Sequence, residues 1–138
     1  MSAIPTVTAV NGATPYVVTL EDHHGHHWLA DEPLAAGGAE QGPTPTQLLL
    51  SSLGACTAIT LRMYAARKSW PLTGCEVKLE LNPDGPRAEG GVDIRRRITL
   101  QGDLAEAQRE QLLAVANKCP LHRVLTGKIR IDSSLTPA

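Results

Sequence analysis

Aromatic side chains are almost missing from this sequence, which has no Phe, two Trp and two Tyr. The core of a chain of 138 residues must therefore be built from Leu, Val, Ile and Ala. So few rings also leave few platforms on which bases could stack. An excess of positive charge is missing too, because 13 basic residues stand against 14 acidic ones. The composition argues against a nucleic-acid-binding protein and against one that binds an anionic membrane surface.

The sequence also lacks the paired cysteines of a secreted scaffold. It has three cysteines, which is an odd number, and the residues Met1–Pro5 show no signal-peptide pattern. A chain of 138 residues fits a single domain, over residues 1–138, that folds without disulfides. We therefore expect a cytoplasmic protein in which a disulfide would be transient or catalytic. No Walker A or G-x-G-x-x-G pattern occurs, so no cofactor is expected.

The longest stretch without a charged residue runs over Gln41–Leu61. Ser, Thr and Gln residues are spread through it and make it too polar for a lipid bilayer. Thr44 as N-cap, Pro45 at the first helical position and Gln47 in a capping box predict that a buried helix begins here and runs to about Lys68. About 25 residues span roughly 37 Å at about 1.5 Å each. Because that is the width of a small domain, we expect a second subunit to cover part of the helix.

The elements around this helix predict an α+β fold with the order βββ-α-ββ-α-β. Three short β-rich runs come first, and a hairpin, a second helix and a closing strand follow the long helix. The expected bounds are residues 6–10, 16–20 and 27–31 for the first strands, 76–81 and 91–100 for the hairpin, 103–118 for the second helix, 121–125 for one further turn, and 128–135 for the closing strand.

Four histidines crowd one short segment: His23, His24, His26 and His27. Imidazoles at this density could bind Zn²⁺ or Ni²⁺. The segment is typical of a turn between strands, however, and no cysteine or carboxylate pair is interleaved with the histidines. A solvated loop is the favoured interpretation, and no metal site is predicted.

Two of the cysteines are candidates for redox chemistry. Cys56 lies in the uncharged helix, and Cys119 follows the second helix and precedes Pro120. A cysteine attacks a peroxide only as the thiolate. A sulfenic acid on one cysteine could condense with the other to a disulfide, which an external thiol would reduce. The residues alone leave open that Cys56 is a small buried hydrophobe and that Cys119 merely ends a helix, while Cys75, at the start of a strand, is interpreted as structural.

Two motifs resemble those of the OsmC/Ohr superfamily, the osmotically inducible protein C and organic hydroperoxide resistance proteins. The first is Gly42-Pro43-Thr44-Pro45-Thr46-Gln47-Leu48-Leu49-Leu50 followed by Leu53-Gly54-Ala55-Cys56, and the second is Cys119-Pro120 before a hydrophobic turn. The resemblance implies an OsmC-like fold and an intertwined homodimer with two long central helices and active sites at the interface. It also implies a thiol-dependent peroxidase of the oxidative stress response. Cys56 matches the peroxidatic cysteine and Cys119 the resolving one, and the partners would be an organic hydroperoxide and a small or protein dithiol.

Two positions depart from the family pattern. The family usually has an Arg in the first hairpin that holds the thiolate, but no Arg occurs here before Arg62, and Thr46 stands where Ohr-type members have Glu. Two other cations are candidates to support the thiolate. Arg123 lies just beyond Cys119, and Arg96 is a charge in the apolar phase of its strand, a position also typical of an edge-strand safeguard.

These departures keep two further interpretations open. The chain could be a non-catalytic or weakly catalytic OsmC-like protein that binds or senses a small molecule in the dimer cavity. It could also be a structural dimer whose thiols are inert. The first of these predicts ligand binding that does not depend on Cys56, and the second predicts a thiol that labelling reagents reach only after unfolding.

Overall fold

The structure is a computed structural model and describes residues 4–137. It has five strands and three α-helices, so the predicted α+β class is confirmed. The elements in chain order are β1 (Val7–Asn11), β2 (Val18–Asp22), β3 (His27–Ala30), a 3-10 turn (Leu34–Ala36), α1 (Pro45–Arg67), β4 (Gly74–Leu81), β5 (Ile94–Gln101), α2 (Glu106–Ala116) and α3 (Pro120–Thr126).

The chain divides into two compact units, and the boundary falls inside α1 between Ser51 and Ser52. Each unit has its own antiparallel sheet, with the order β1-β2-β3 in the first and β4-β5 in the second. The single domain expected over residues 1–138 stays a prediction.

In the first unit, Asp31 organises the loop between β3 and α1. Its side chain is 1 % exposed, and its carboxylate accepts hydrogen bonds from the backbone N–H groups of Glu32 at 2.7 Å, Ala39 at 3.2 Å and Gln41 at 3.1 Å. Burial disfavours the charge and raises the pKa of Asp31, but these three donors outweigh burial and hold that pKa below its ordinary value. The loop is therefore tied to one buried anion.

The start of α1 is the predicted capping box. The backbone N–H of Gln47 donates to Thr44 Oγ1 at 3.1 Å, and the backbone N–H of Thr44 donates to Gln47 Oε1 at 2.9 Å. Two N–H groups that a helix start would leave unpaired are thus satisfied. The helix ends at Arg67, one residue before the predicted end.

One stripe of α1 is buried, and it consists of Leu53, Thr57, Leu61 and Ala65. Residues four apart lie on neighbouring turns of one side of a helix, so the stripe is continuous and inclined to the helix axis. Burial on every side, which the sequence predicts, does not occur within this chain, because Ile59 is 59 % exposed and Met63 is 56 % exposed. By length and composition the helix could cross a membrane, with a mean hydropathy of 1.3, but the core helix of a soluble protein meets the same criterion.

In the second unit, β4 and β5 form the predicted hairpin, with Val77 opposite Ile98 and Leu79 opposite Arg96. The absence of a side chain at Gly54 allows α1 to approach β4, since a Cβ there would lie 2.8 Å from Leu79 Cδ1. The core of this unit is aliphatic, as the lack of Phe requires. Its buried members are Leu61, Ala65, Leu72, Leu104, Leu112 and Ala116.

The closing strand expected over Lys128–Leu135 is wrong for this chain, because residues 128–137 are neither helix nor strand. A strand exists only through hydrogen bonds to a neighbouring strand, and within residues 4–137 no strand pairs with this segment. Ile129 is 57 % exposed and Ile131 is 86 % exposed. The single turn expected before it is a seven-residue helix, α3.

Candidate thiol site

The structure brings Cys56 and Cys119 together. Cys119 has no exposed surface and caps the start of α3, while Cys56 is partly buried on α1. Cys56 lies near enough to Cys119 to help lower the pKa of the Cys119 thiol. Two thiols that are far apart in sequence are therefore neighbours in the second unit, which sequence patterns left open.

Cys119 is held at the joint between α2 and α3. Its backbone N–H donates to the carbonyl of Ala116 at 3.3 Å, and its sulfur accepts the backbone N–H of His122 at 3.4 Å. Pro120 occupies the first position of α3, where the missing N–H costs nothing. The sulfur is thus fixed by both helices that meet there.

Arg96 is the cation of the site. Its Nη1 donates to Thr57 Oγ1 at 3.0 Å and lies 4.0 Å from Cys119 Sγ. Its Nη2 donates to Asn117 Oδ1 at 3.0 Å and lies 3.1 Å from His122 Nδ1. Among residues 4–137, no carboxylate forms an ion pair with this guanidinium. Arg96, a charged residue among the apolar positions of β5, therefore directs its guanidinium towards the thiol site.

Thr57 joins α1 to this cluster. It is completely buried, its hydroxyl donates to the carbonyl oxygen of Leu53 at 2.7 Å, and it helps to lower the pKa of the Cys119 thiol. Because a hydroxyl also accepts hydrogen bonds, Thr57 receives Arg96 Nη1 at the same time. Thr57 follows Cys56 directly, so the helix presents a thiol and a hydroxyl to the same partner sulfur.

His122 contributes through its backbone and through its ring. A guanidinium only donates hydrogen bonds, so His122 Nδ1, 3.1 Å from Arg96 Nη2, is the acceptor. This contact fixes both the tautomer of His122 and the position of the guanidinium.

The environment favours a thiolate at Cys119. Burial raises its pKa, but hydrogen bonds from the His122 N–H, the Cys56 thiol and the Thr57 hydroxyl, together with the positive charge of Arg96, outweigh burial and hold that pKa below its ordinary value. Cys75 differs, because burial raises its pKa. Cys75 lies in β4 beside the core, which agrees with a structural role.

Arg123, the other predicted cation, lies on the exposed side of α3. In the described part of the chain its side chain forms no hydrogen bond or ion pair. Arg62 is occupied elsewhere, since its Nη1 donates to the carbonyl of Leu72 at 2.7 Å. Sequence reasoning did not find Thr57 or Asn117, although the position of Thr57 beside Cys56 in the chain was a usable signal.

A cavity of about 340 Å³ lies against the outer side of Arg96. Its polar residues are Arg96, Asn117, His122 and Thr126. The rest of its lining is aliphatic and consists of Leu53, Val92, Ile94, Leu113 and Leu125. An apolar chamber with polar groups grouped at one end suits a small molecule that has an alkyl body and a polar head.

The histidine turn is organised by Asp22. One carboxylate oxygen accepts the backbone N–H groups of His24 and His26, both at 2.9 Å, and the other lies 2.6 Å from His26 Nδ1. The hydrogen bond from His26 is the main reason that the pKa of Asp22 is lowered to about 2. Across residues 4–137, no group of three or more His, Cys, Asp or Glu side chains is placed to hold a metal ion.

Comparisons with known proteins agree with this geometry. The family model described as OsmC-like protein matches residues 37–134. An OsmC-like protein from Mycoplasma pneumoniae has a similar structure, with a TM-score of 0.76, 22 % identity and coverage of 92 % of this chain and 90 % of that one. No curated protein was matched.

Two further solved structures have the same fold. One is an organic hydroperoxide resistance protein OsmC from Legionella pneumophila, with a TM-score of 0.63, 21 % identity and coverage of 91 % of this chain and 90 % of that one. The other is the organic hydroperoxide resistance protein OhrB of Bacillus subtilis, with a TM-score of 0.62, 23 % identity and coverage of 91 % and 92 %.

Proposed function

Because the chain belongs to the OsmC-like protein family, we propose that it is a thiol-dependent peroxidase that reduces organic hydroperoxides through a Cys56–Cys119 redox pair. The observation that carries this proposal is the proximity of the two thiols to one another and of Cys119 Sγ to Arg96 Nη1, at 4.0 Å, a guanidinium that has no carboxylate partner among the described residues. The names of structural neighbours from Legionella pneumophila and Bacillus subtilis, both organic hydroperoxide resistance proteins, support the substrate class.

The reaction has two chemical steps and a reset. Cys56, the more accessible thiol, attacks one peroxide oxygen as the thiolate, the O–O bond breaks, and the alkoxide leaves as the alcohol after taking up a proton. The Cys119 sulfur then attacks the Cys56 sulfenic acid, the S–S bond forms and water leaves. An external dithiol returns the pair to two thiols and is itself oxidised to a disulfide.

Arg96 supplies the cation in this scheme. The Arg expected in the first hairpin has no match in the sequence, but Arg96 Nη1 lies 4.0 Å from Cys119 Sγ. A fixed positive charge beside a sulfur stabilises the thiolate and makes it available at neutral pH. Arg123 is too exposed to act in this way, so we propose Arg96 as the thiolate-supporting residue.

We also propose that the protein is a cytoplasmic homodimer. The face of α1 opposite its buried stripe carries exposed uncharged residues at helical spacing, namely Ala55, Ile59 and Met63. An apolar stripe of this kind on a helix is buried when a second copy packs against it. The expected arrangement is the intertwined dimer with two long helices at its centre.

Mass spectrometry tests the reaction directly. Reduced protein is treated with one equivalent of cumene hydroperoxide and analysed intact and after peptide mapping. We expect a Cys56–Cys119 bridge in wild type and in Cys75→Ser, and no bridge in Cys56→Ser. Catalytic consumption of the hydroperoxide in the presence of dithiothreitol should likewise occur in wild type and in Cys75→Ser and be absent in Cys56→Ser. A wild-type protein that forms no bridge and shows no turnover would contradict the proposal.

The cavity of about 340 Å³ favours a second function, the binding or sensing of a small amphipathic molecule without efficient turnover. This function predicts that ligands with an alkyl body and a polar head raise the melting temperature of wild type and of Cys56→Ser alike. Stabilisation that disappears in Cys56→Ser would count against it.

A further inference from the structure

The hydrogen bonds of the thiol pair are distributed unequally. Cys119 Sγ accepts the backbone N–H of His122 at 3.4 Å and lies 4.0 Å from Arg96 Nη1. The polar side-chain contact of Cys56 is with Thr60 Oγ1, at 4.0 Å. Donors therefore converge on the sulfur that matches the resolving cysteine.

Burial assigns different tasks to the two sulfurs. Cys119 has no exposed surface, so a hydroperoxide cannot reach it while the packing around it is closed. Cys56 is partly exposed. A negative charge kept on the sulfur that substrate cannot reach does not help the first attack directly. It helps the next step, in which that sulfur attacks its neighbour.

The cation that faces this charge is held rigidly. Asn117 and His122 fix Nη2 of Arg96, and Thr57 fixes Nη1, each at about 3 Å. The groups that face Cys119 are thus Arg96 from β5, Cys56 and Thr57 from α1, and the N–H of His122 from α3. Within the described residues no carboxylate is among them, so the only negative charge that this cluster offers to Arg96 is that of the sulfur.

Resting on the peroxidase function proposed above, we infer that Arg96 is a positioning residue for resolution: its guanidinium, 4.0 Å from Cys119 Sγ, holds that sulfur beside Cys56 and stabilises the negative charge it carries when it attacks, so that a sulfenic acid on Cys56 is closed to a disulfide before it is oxidised again. The proton that Cys56 loses in the first step ends on the alkoxide, which leaves as the alcohol. Cys119 attacks in the second step as the thiolate. Its sulfur attacks Cys56 Sγ, the S–O bond breaks, and hydroxide takes up a proton to leave as water.

The competing reaction is a second attack on hydroperoxide. The sulfenate of Cys56 can reduce another hydroperoxide molecule to its alcohol and become a sulfinic acid, which ordinary thiols do not reverse. The ratio of disulfide to sulfinic acid depends on how fast Cys119 attacks the sulfenic acid. This rate depends on the fraction of Cys119 that is thiolate. Removing the positive charge beside Cys119 Sγ lowers that fraction and so slows the attack.

The test compares Arg96→Met, Arg96→Lys and the matched control Arg97→Met. Arg97 is the next residue of β5, and its side chain is 63 % exposed with one ion pair to Glu80 at 4.0 Å. Each reduced protein is mixed with excess cumene hydroperoxide, quenched over time and analysed by intact mass and peptide mapping. We expect the ratio of disulfide to Cys56 sulfinic acid to fall several-fold in Arg96→Met, to fall less in Arg96→Lys, and to stay at the wild-type value in Arg97→Met.

The pH profile separates this role from a merely structural one. Raising the pH ionises Cys119 without help from Arg96, so the disulfide fraction of Arg96→Met should recover towards the wild-type value at alkaline pH. An Arg96→Met protein with the wild-type ratio at neutral pH would overturn the inference and leave the proposed function intact. Absence of the disulfide in wild type would instead overturn the proposed function.

If Arg96→Met does not fold, a second measurement tests the same inference. In Cys56→Ser/Cys75→Ser, Cys119 is the remaining cysteine, and its thiolate absorbance can be titrated with and without Arg96→Lys. We expect the midpoint to rise when Lys replaces Arg96, because an ammonium cannot donate to Thr57, Asn117 and His122 in the same fork geometry. An unchanged midpoint would overturn the inference.

Discussion

Arg96 Nη1 donates to Thr57 Oγ1 at 3.0 Å, and the same nitrogen lies 4.0 Å from Cys119 Sγ. This contact connects β5 to α1 through a half-buried guanidinium and a fully buried hydroxyl. It explains why a charge occupies the apolar phase of a strand, since a hydroxyl, an amide and an imidazole take the place of the missing carboxylate. The position of the cation therefore depends on neutral acceptors.

Thr57→Val should disturb the site while preserving the shape of the side chain. The substitution removes the acceptor for Arg96 Nη1 and a donor to Cys119, and a buried donor without an acceptor costs about 1–3 kcal/mol. We expect a loss of that size in the free energy of unfolding, measured in urea, and a higher titration midpoint for the Cys119 thiolate. Thr57→Ser keeps the hydroxyl and should retain the low midpoint. Equal midpoints in Thr57→Val and wild type would show that the hydroxyl does not act on the sulfur.

Asp22 should make the first sheet sensitive to acid. The hydrogen bond from His26 lowers the pKa of Asp22 to about 2, below its ordinary value of 3.8. A group whose pKa is lower in the folded state stabilises the fold above its ordinary pKa, and that stabilisation is lost as the pH falls through the folded value. The melting temperature of wild type should therefore drop between about pH 4 and pH 2.

The matched variant for this prediction is Asp22→Asn, which has no proton to gain in that range. Its melting temperature should depend less on pH over the same interval. Some dependence will remain, since the pKa of the Asp31 carboxyl is also held below its ordinary value by backbone donors. Identical acid profiles for wild type and Asp22→Asn would show that the Asp22–His26 contact contributes nothing to stability.

Gly38→Ala should destabilise the loop that Asp31 organises. A Cβ at this position would collide with the carbonyl oxygen of Glu32 and with Asp31 Oδ1, and forced overpacking costs about 1–3 kcal/mol. Gly12→Ala is the control, because a Cβ there has no neighbour within 4 Å. Urea unfolding should show the loss for Gly38→Ala and little change for Gly12→Ala. Equal midpoints for the two variants would mean that the loop moves aside freely.

Met63→Glu should break the proposed homodimer. Met63 is 56 % exposed within one chain, and a carboxylate buried without a partner in an apolar interface is strongly unfavourable. Light scattering after size exclusion should give a dimer mass for wild type and a monomer mass for Met63→Glu. Glu110→Lys, a charge change at an exposed position of α2, should remain dimeric. A dimeric Met63→Glu would show that this face of α1 is not the interface.

Local signals were sufficient for much of the fold. The capping box at Thr44 and the alternation that defines β4 and β5 lie within a few residues of the elements they specify, and both were predicted close to their observed bounds. The strand expected over 128–135 was wrong because pairing depends on a distant neighbour, which an alternating sequence does not reveal. The same holds for the exposed face of α1, for which the proposed partner is a second copy of the chain.

The site was predictable only in part. The motifs identified Cys56 and Cys119, but their contact depends on how α1 packs beside the joint between α2 and α3. The sequence offered both Arg96 and Arg123 as candidates, and Arg123 is the nearer of the two to Cys119 along the chain. The pairing of β4 with β5 instead directs Arg96 inwards, while the turn of α3 carries Arg123 to the surface. Thr57 and Asn117 carry no motif, because an acceptor for a guanidinium can be any of several residue types.

Among residues 4–137 no carboxylate pairs with Arg96, and the site therefore has two electrostatic states. In the proposed cycle the anionic Cys119 sulfur balances the guanidinium, and the balance disappears when that sulfur enters a disulfide. The end of the cavity at Arg96 is then nearly neutral in the dithiol form, which reacts with the hydroperoxide. It is positive in the disulfide form, which reacts with the reductant. Salt should therefore slow reduction by an anionic dithiol more than it slows oxidation by a neutral hydroperoxide. Rapid-mixing measurements of the two half-reactions over a range of ionic strength would check this difference.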